Sequence, residues 1–175
     1  MRGMIGSAYE SILCNADRDC PQWFPMYVDV LRDCLAEGLA VHLPVSGTSM
    51  RPTIDGGATL VVASAGPIVI RPGDIVVYED AGHVICHRVL WRRRTPLGYE
   101  LLTKGDGIAL PPIWVPASAL IGRVAAIETR GIRRRLDGPA ERVRAVAVVG
   151  RALARLLGRR LTRAVRGVTA PGRAA

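Results

Sequence analysis

Three residues in this chain have the types and surroundings that serine chemistry needs. Ser49 lies in Ser46-Gly47-Thr48-Ser49-Met50-Arg51-Pro52-Thr53-Ile54, His87 lies in the run His83–Trp91, and Asp106 lies in Lys104-Gly105-Asp106-Gly107. A hydroxyl nucleophile, an imidazole that can take its proton and a carboxylate that can hold the imidazole are the parts of nucleophilic acyl transfer. Gly47 allows a tight turn, and a short helical start after it leaves amide N–H groups unpaired. Such amides can face a developing oxyanion, so the N–H groups of Ser49 and Gly47 are the candidate oxyanion hole.

Each residue also has a plainer reading. Ser49 can be an ordinary loop serine. In a period-2 strand His83, Ile85, His87, Val89 and Trp91 share one face, and Val84, Cys86, Arg88 and Leu90 share the other. An imidazole among apolar neighbours is partly desolvated, which favours its neutral, proton-accepting form. The alternative for His87 is a structural histidine bonded to a carbonyl. Asp106 either orients His87 or serves as a turn aspartate between Gly105 and Gly107. Lys104 is the only lysine of the chain. Its position beside Gly105-Asp106 points to a surface or structural ion pair, with Asp106 as the available partner. His83 reads as a solvated histidine at a turn end, and His42 as a strand residue before the nucleophile turn.

These residues need a scaffold, and the pattern supplies one in three segments. Residues 1–39 read as a polar lead followed by a helix over 25–39. Val28, Leu31, Leu35 and Leu39 form its apolar stripe, and Gly38 is its stop. Residues 40–130 read as a β unit of short β-branched runs: Val41–Val45, Ala58–Ala63, Asp74–Glu79, His83–Trp91, Tyr99–Thr103 and Leu120–Glu128. The prolines fall between the runs or at their ends, as sheets require. Residues 131–175 read as a basic linker followed by a helix from Pro139 to about Val168, with a frayed tail over Thr169–Ala175. The fold class is mainly β: an antiparallel catalytic domain between an N-terminal helix and a basic C-terminal helix.

Composition narrows the setting. The chain has 175 residues, 49% of them hydrophobic, and a net charge of +9 carried almost wholly by arginine. With one Phe, its core must be built from aliphatic side chains. Cys14, Cys20, Cys34 and Cys86 lack paired metal-ligand spacing and read as free thiols. The chain has no run of ~18 apolar residues and no secretory signal pattern, so the expected location is cytoplasmic or peripheral to a membrane. The arginine-rich C-terminal helix fits an anionic membrane surface, packing on the β unit or a partner, or nucleic acid. With no helix-turn-helix pattern, nucleic acid is not expected as a partner.

Four boxes in order resemble the signal peptidase I family, in its Ser/His branch, similar to the ER-type members. They are Gly47–Thr53, Arg71–Tyr78, His87-Arg88-Val89 and Lys104-Gly105-Asp106, and they run from about Val45 to Glu128. The resemblance implies a serine endopeptidase that removes signal or leader peptides from a precursor. Ser49 would be nucleophile, His87 base in place of lysine, and Asp106 a third member. It implies a precursor peptide bound in extended form along a sheet edge, small residues near the cut, and no metal or organic cofactor. Two alternatives stand beside it. One is an autoproteolytic regulator, since the SOS-repressor proteases look similar around Gly-x-Ser-Met but need a lysine base. The other is a catalytically silent module that holds a peptide.

Overall fold

The computed structural model of the chain describes residues 24–168, with side chains up to residue 158. Helix α1 spans Phe24–Ala36. Eight strands follow: β1 Val41–Pro44, β2 Thr59–Ala63, β3 Ile75–Asp80, β4 His83–Thr95, β5 Gly98–Lys104, β6 Ile113–Pro116, β7 Leu120–Thr129 and β8 Ile132–Arg135. Helix α2 spans Pro139–Val168. The polar lead with Cys14 and Cys20, and the tail Thr169–Ala175, lie outside the described residues.

The strands form one antiparallel sheet in the order β1-β2-β7-β3-β4-β5-β6, with β8 paired to β7. The result is a mostly β, curled sheet between two helices, as the patterning leads one to expect. All six β-branched runs named from the sequence are strands. Two further strands were not expected. Ile113-Trp114-Val115-Pro116 sits among prolines but pairs with β5, an edge position where proline costs no ladder bond. The expected basic linker over Arg133-Arg134-Arg135 is instead β8. Arg130 and Gly131, both at positive φ, make a two-residue turn that folds it back on β7. Arginine suits this strand because its apolar stem can lie on the sheet while the guanidinium reaches out. Arg134, for example, donates to the carbonyl of Thr53 at 2.8 Å.

The sheet is covered on both faces. On one, Phe24, Val28, Leu31 and Leu35 of α1 pack on Leu60, Val62, Ile75, Val77, Ile121 and Val124, and Met50 and Ile54 enter the same cluster. Burying a side chain of this kind stabilises by roughly 1.5–3 kcal/mol. Gly38, at φ 78°, ends α1, with its amide on the Leu35 carbonyl at 3.1 Å. The helix therefore stops before Leu39, which is exposed rather than part of the stripe, and Phe24 takes the place of the first anchor. On the other face, Ile70, Val76, Tyr78, Val89, Leu101 and Val115 form a second cluster. Strand β4 runs between these faces, and the two environments decide what its side chains can do.

Candidate active site

The nucleophile turn is a single tight coil. Arg51 N–H bonds the Thr48 carbonyl at 3.1 Å, and the amides of Thr53 and Ile54 bond the Met50 carbonyl at 2.9 and 3.0 Å. Met50 is buried in the α1-side cluster and anchors the turn, while Thr48 is exposed and Ser49 is half-buried. Among the described residues, no backbone acceptor takes the amides of Gly47, Ser49 or Met50. This is the arrangement that the candidate oxyanion donors Ser49 and Gly47 need.

The Gly105-Asp106-Gly107 loop backs directly onto that turn. Gly107 N–H bonds the Ser49 carbonyl at 2.9 Å. A Cβ on Gly105 would lie 2.6 Å from the Ser49 carbonyl oxygen, and one on Gly107 would lie 2.7 Å from that of Arg51. Both positions are glycine because backbone meets backbone there, with no room for a side chain.

Asp106 is nevertheless turned away from His87. Its Oδ1 accepts from Arg88 Nε at 2.9 Å, and its Oδ2 accepts from the Arg88 guanidinium at 2.7 Å and from Thr53 Oγ1 at 2.6 Å. Arg88 also donates to the Gly73 carbonyl at 2.7 Å. With side chains only 5% and 7% exposed, Arg88 and Asp106 form a buried, multiply bonded pair. Of the two roles open to Asp106, these contacts are those of structural support: they tie the loop, the nucleophile turn and β4 together. Sequence reasoning gave Arg88 no function. Its signal was a charge on the face shared with Val84, Cys86 and Leu90, where only a paired charge is tolerated.

His87 occupies the opposite face of β4. Its Nδ1 lies 3.0 Å from the hydroxyl of Tyr78, which in turn lies 3.4 Å from Thr103 Oγ1. Tyr78 and Thr103 are fully buried. Burial, and then the positive charge of Lys104, push the His87 pKa below its ordinary 6.5, against a smaller opposite pull from Asp106. The imidazole is therefore neutral at pH 7. Burial also raises Tyr78 to about 12, so it meets His87 as a neutral phenol. The partner of His87 is thus a tyrosine that the sequence did not single out. Thr103 Oγ1 donates to the Tyr78 hydroxyl, whose oxygen can also accept from His87 Nδ1–H, which leaves the ring lone pair on Nε2. The reverse direction of the His87 bond places the proton on Nε2.

Lys104 does not pair with Asp106. Its ammonium donates to the carbonyls of Ile108 and Leu110 at 2.5 and 2.7 Å, which holds the loop after Gly107. His83 is bound to its own turn, Nδ1 to the Ala81 carbonyl at 2.8 Å, and His42 lies 3.6 Å from Glu128. Cys34 and Cys86 are free thiols.

Comparison with known families corrects the reading taken from the four boxes. The model described as Peptidase S24-like matches residues 15–124, which spans the nucleophile turn, β4 and the Gly105–Gly107 loop. Comparison with curated proteins gave no match. The matched family comprises self-cleaving peptidases of Ser/Lys type, so the chain is not a member of the signal peptidase I family, and neither signal-peptide processing nor a signal-peptidase activity carries over. The two readings share Gly-x-Ser-Met, a turn that any serine nucleophile of this geometry can use, and the shared box misled. Among the described residues no helix is long and apolar enough to cross a membrane. The match covers well over half of the sequence, and the chain belongs to the Peptidase S24-like family.

Proposed function

We propose that this protein is a self-cleaving serine peptidase whose cleavage regulates the chain that carries it. The observation that carries the reading is Ser49. Within the family match, it sits on a turn whose carbonyl is pinned by Gly107 and whose neighbouring amides take no backbone acceptor among the described residues. Ser49 Oγ attacks a peptide carbonyl in an extended segment of the same chain, laid along a sheet edge. Attack within one chain removes the entropic cost of meeting a separate substrate. The Ser49 and Gly47 amides hold the oxyanion. Asp106 acts by fixing the turn through Arg88 and Thr53.

For the proton acceptor we favour His87, which is neutral at pH 7 and already bonded at Nδ1. It serves in the tautomer with Nδ1–H on Tyr78 and the lone pair on Nε2. A second reading rests on the family's use of lysine: Lys104, the only lysine, is the base after releasing the Ile108 and Leu110 carbonyls. The test is self-cleavage of His87→Ala and Lys104→Ala in parallel. Our assignment expects His87→Ala to be inactive and Lys104→Ala to cleave. The opposite pair of results assigns the base to Lys104.

A further inference from the structure

Helix α2 has one face on the body of the protein and, among the described residues, an outer face with exposed apolar side chains. Toward the body, Arg142 donates to Asp74 at 2.9 Å, Ala145 lies against Gly73 closely enough that a Cβ there would come within 2.8 Å, and Val149 is buried. On the outer side Val143, Val146 and Leu157 are 72%, 65% and 62% exposed. With Gly150 and Leu153 they recur at alternating steps of three and four residues, so at ~100° per residue they share one arc of the helix. The same spacing continues in the sequence through Leu161, Ala164 and Val168.

One border of this stripe is a row of exposed arginines, Arg144, Arg151 and Arg155. No aspartate or glutamate follows Glu141 within the helix, whereas Arg159, Arg160, Arg163 and Arg166 do. An apolar stripe flanked by arginine needs an occupant that is both greasy and negative. A second copy of the helix supplies the first but not the second: it would bring two arginine rows together in a chain already at +9. Gly150, in the middle of the stripe, would also leave a gap in a helix–helix seam. An anionic bilayer satisfies both demands, with the apolar arc in the acyl boundary and the guanidinium groups among phosphates.

We infer that the outer face of α2 is a membrane-docking surface for anionic phospholipid, which holds the peptidase unit flat on a bilayer. This does not depend on catalysis. The test is co-sedimentation of the full chain with vesicles of phosphatidylcholine alone and of phosphatidylcholine mixed with phosphatidylglycerol. Binding is expected to the mixed vesicles only, with release at ~1 M salt, where the Debye length shrinks to about 3 Å. Val146→Asp with Leu157→Asp places charge on exposed positions and should abolish binding, with an unchanged thermal midpoint as the check on folding. Arg144→Gln, Arg151→Gln and Arg155→Gln together should weaken binding on the order of a hundredfold, at about 1 kcal/mol per basic residue. Equal binding to both vesicle types, no binding to either, or wild-type binding by both variants would overturn the inference. Salt-resistant self-association without vesicle binding would give the face to a second copy instead.

Discussion

Arg88 and His87 are neighbours on one strand and meet opposite environments. Arg88 faces the α1-side core, where a charge survives only because Asp106, Thr53 and the Gly73 carbonyl take its donors. His87 faces the second cluster, where its partner is a neutral phenol and its own charge is disfavoured. The contrast separates two tasks. The ionic side is bonded at every guanidinium nitrogen and at both carboxylate oxygens, so it can fix the position of the nucleophile turn. The neutral side holds an imidazole whose charged form burial disfavours, and the neutral form is the one that the proposed base needs. A strand's alternation performs the separation, because consecutive side chains point to opposite faces.

Breaking the ionic side should have the largest effect. Asp106→Ala leaves Arg88 as an uncompensated buried charge and should cost about 3–5 kcal/mol, read from urea unfolding. A loss below ~1 kcal/mol would mean that the pair is solvated and positions nothing. Gly105→Ala and Gly107→Ala come next. Each forces a Cβ against a backbone carbonyl of the nucleophile turn and should cost about 1–3 kcal/mol. Self-cleavage should fall more than stability does, because Ser49 is what moves; wild-type cleavage rates in both would remove the loop from the site.

Changes on the neutral side should be smaller in stability and visible in protonation. Tyr78→Phe removes the hydroxyl's two bonds, to His87 and Thr103, worth about 0.5–1.5 kcal/mol each, and frees His87 Nδ1. Nitrogen-15 NMR of the imidazole should show a changed tautomer balance, and an unchanged spectrum would dismiss Tyr78 as the positioning residue. The pH dependence has a definite sign. With its folded pKa below the unfolded 6.5, His87 takes a proton in the unfolded chain first. Its contribution to stability is therefore present above about pH 6.5 and is lost as pH falls through the lower folded value. The midpoint of the cleavage rate on acidification should lie below pH 6.5. A rate that declines already at pH 8 on acidification would point to a group other than His87.

Much of the scaffold was legible in the sequence, and the reason is periodicity. Val28, Leu31 and Leu35 repeat at helical steps and are buried, and the alternation in His83–Trp91 placed His87 and Arg88 on opposite faces. Strand β8 was not legible, because Arg133, Arg134 and Arg135 look like a solvated charge run and only pairing with β7 makes them a strand. Ser49 and the glycine loop were recognisable from local chemistry. The partners of Asp106 and His87 were not: Arg88 is 18 residues from Asp106, and Tyr78 is nine from His87, so sheet register decides them. The family was misread where two families share the same short turn around Ser49.

The central claim, self-cleavage by Ser49, is tested most directly by intact-mass measurement on the purified full chain over time at neutral pH, beside Ser49→Ala. The account predicts that the wild-type chain converts to two fragments whose masses sum to the chain plus one water, and that Ser49→Ala stays whole with an unchanged unfolding midpoint. Fragments that accumulate at the same rate in Ser49→Ala, or a wild-type chain that stays whole at every pH between 6 and 9, would contradict it.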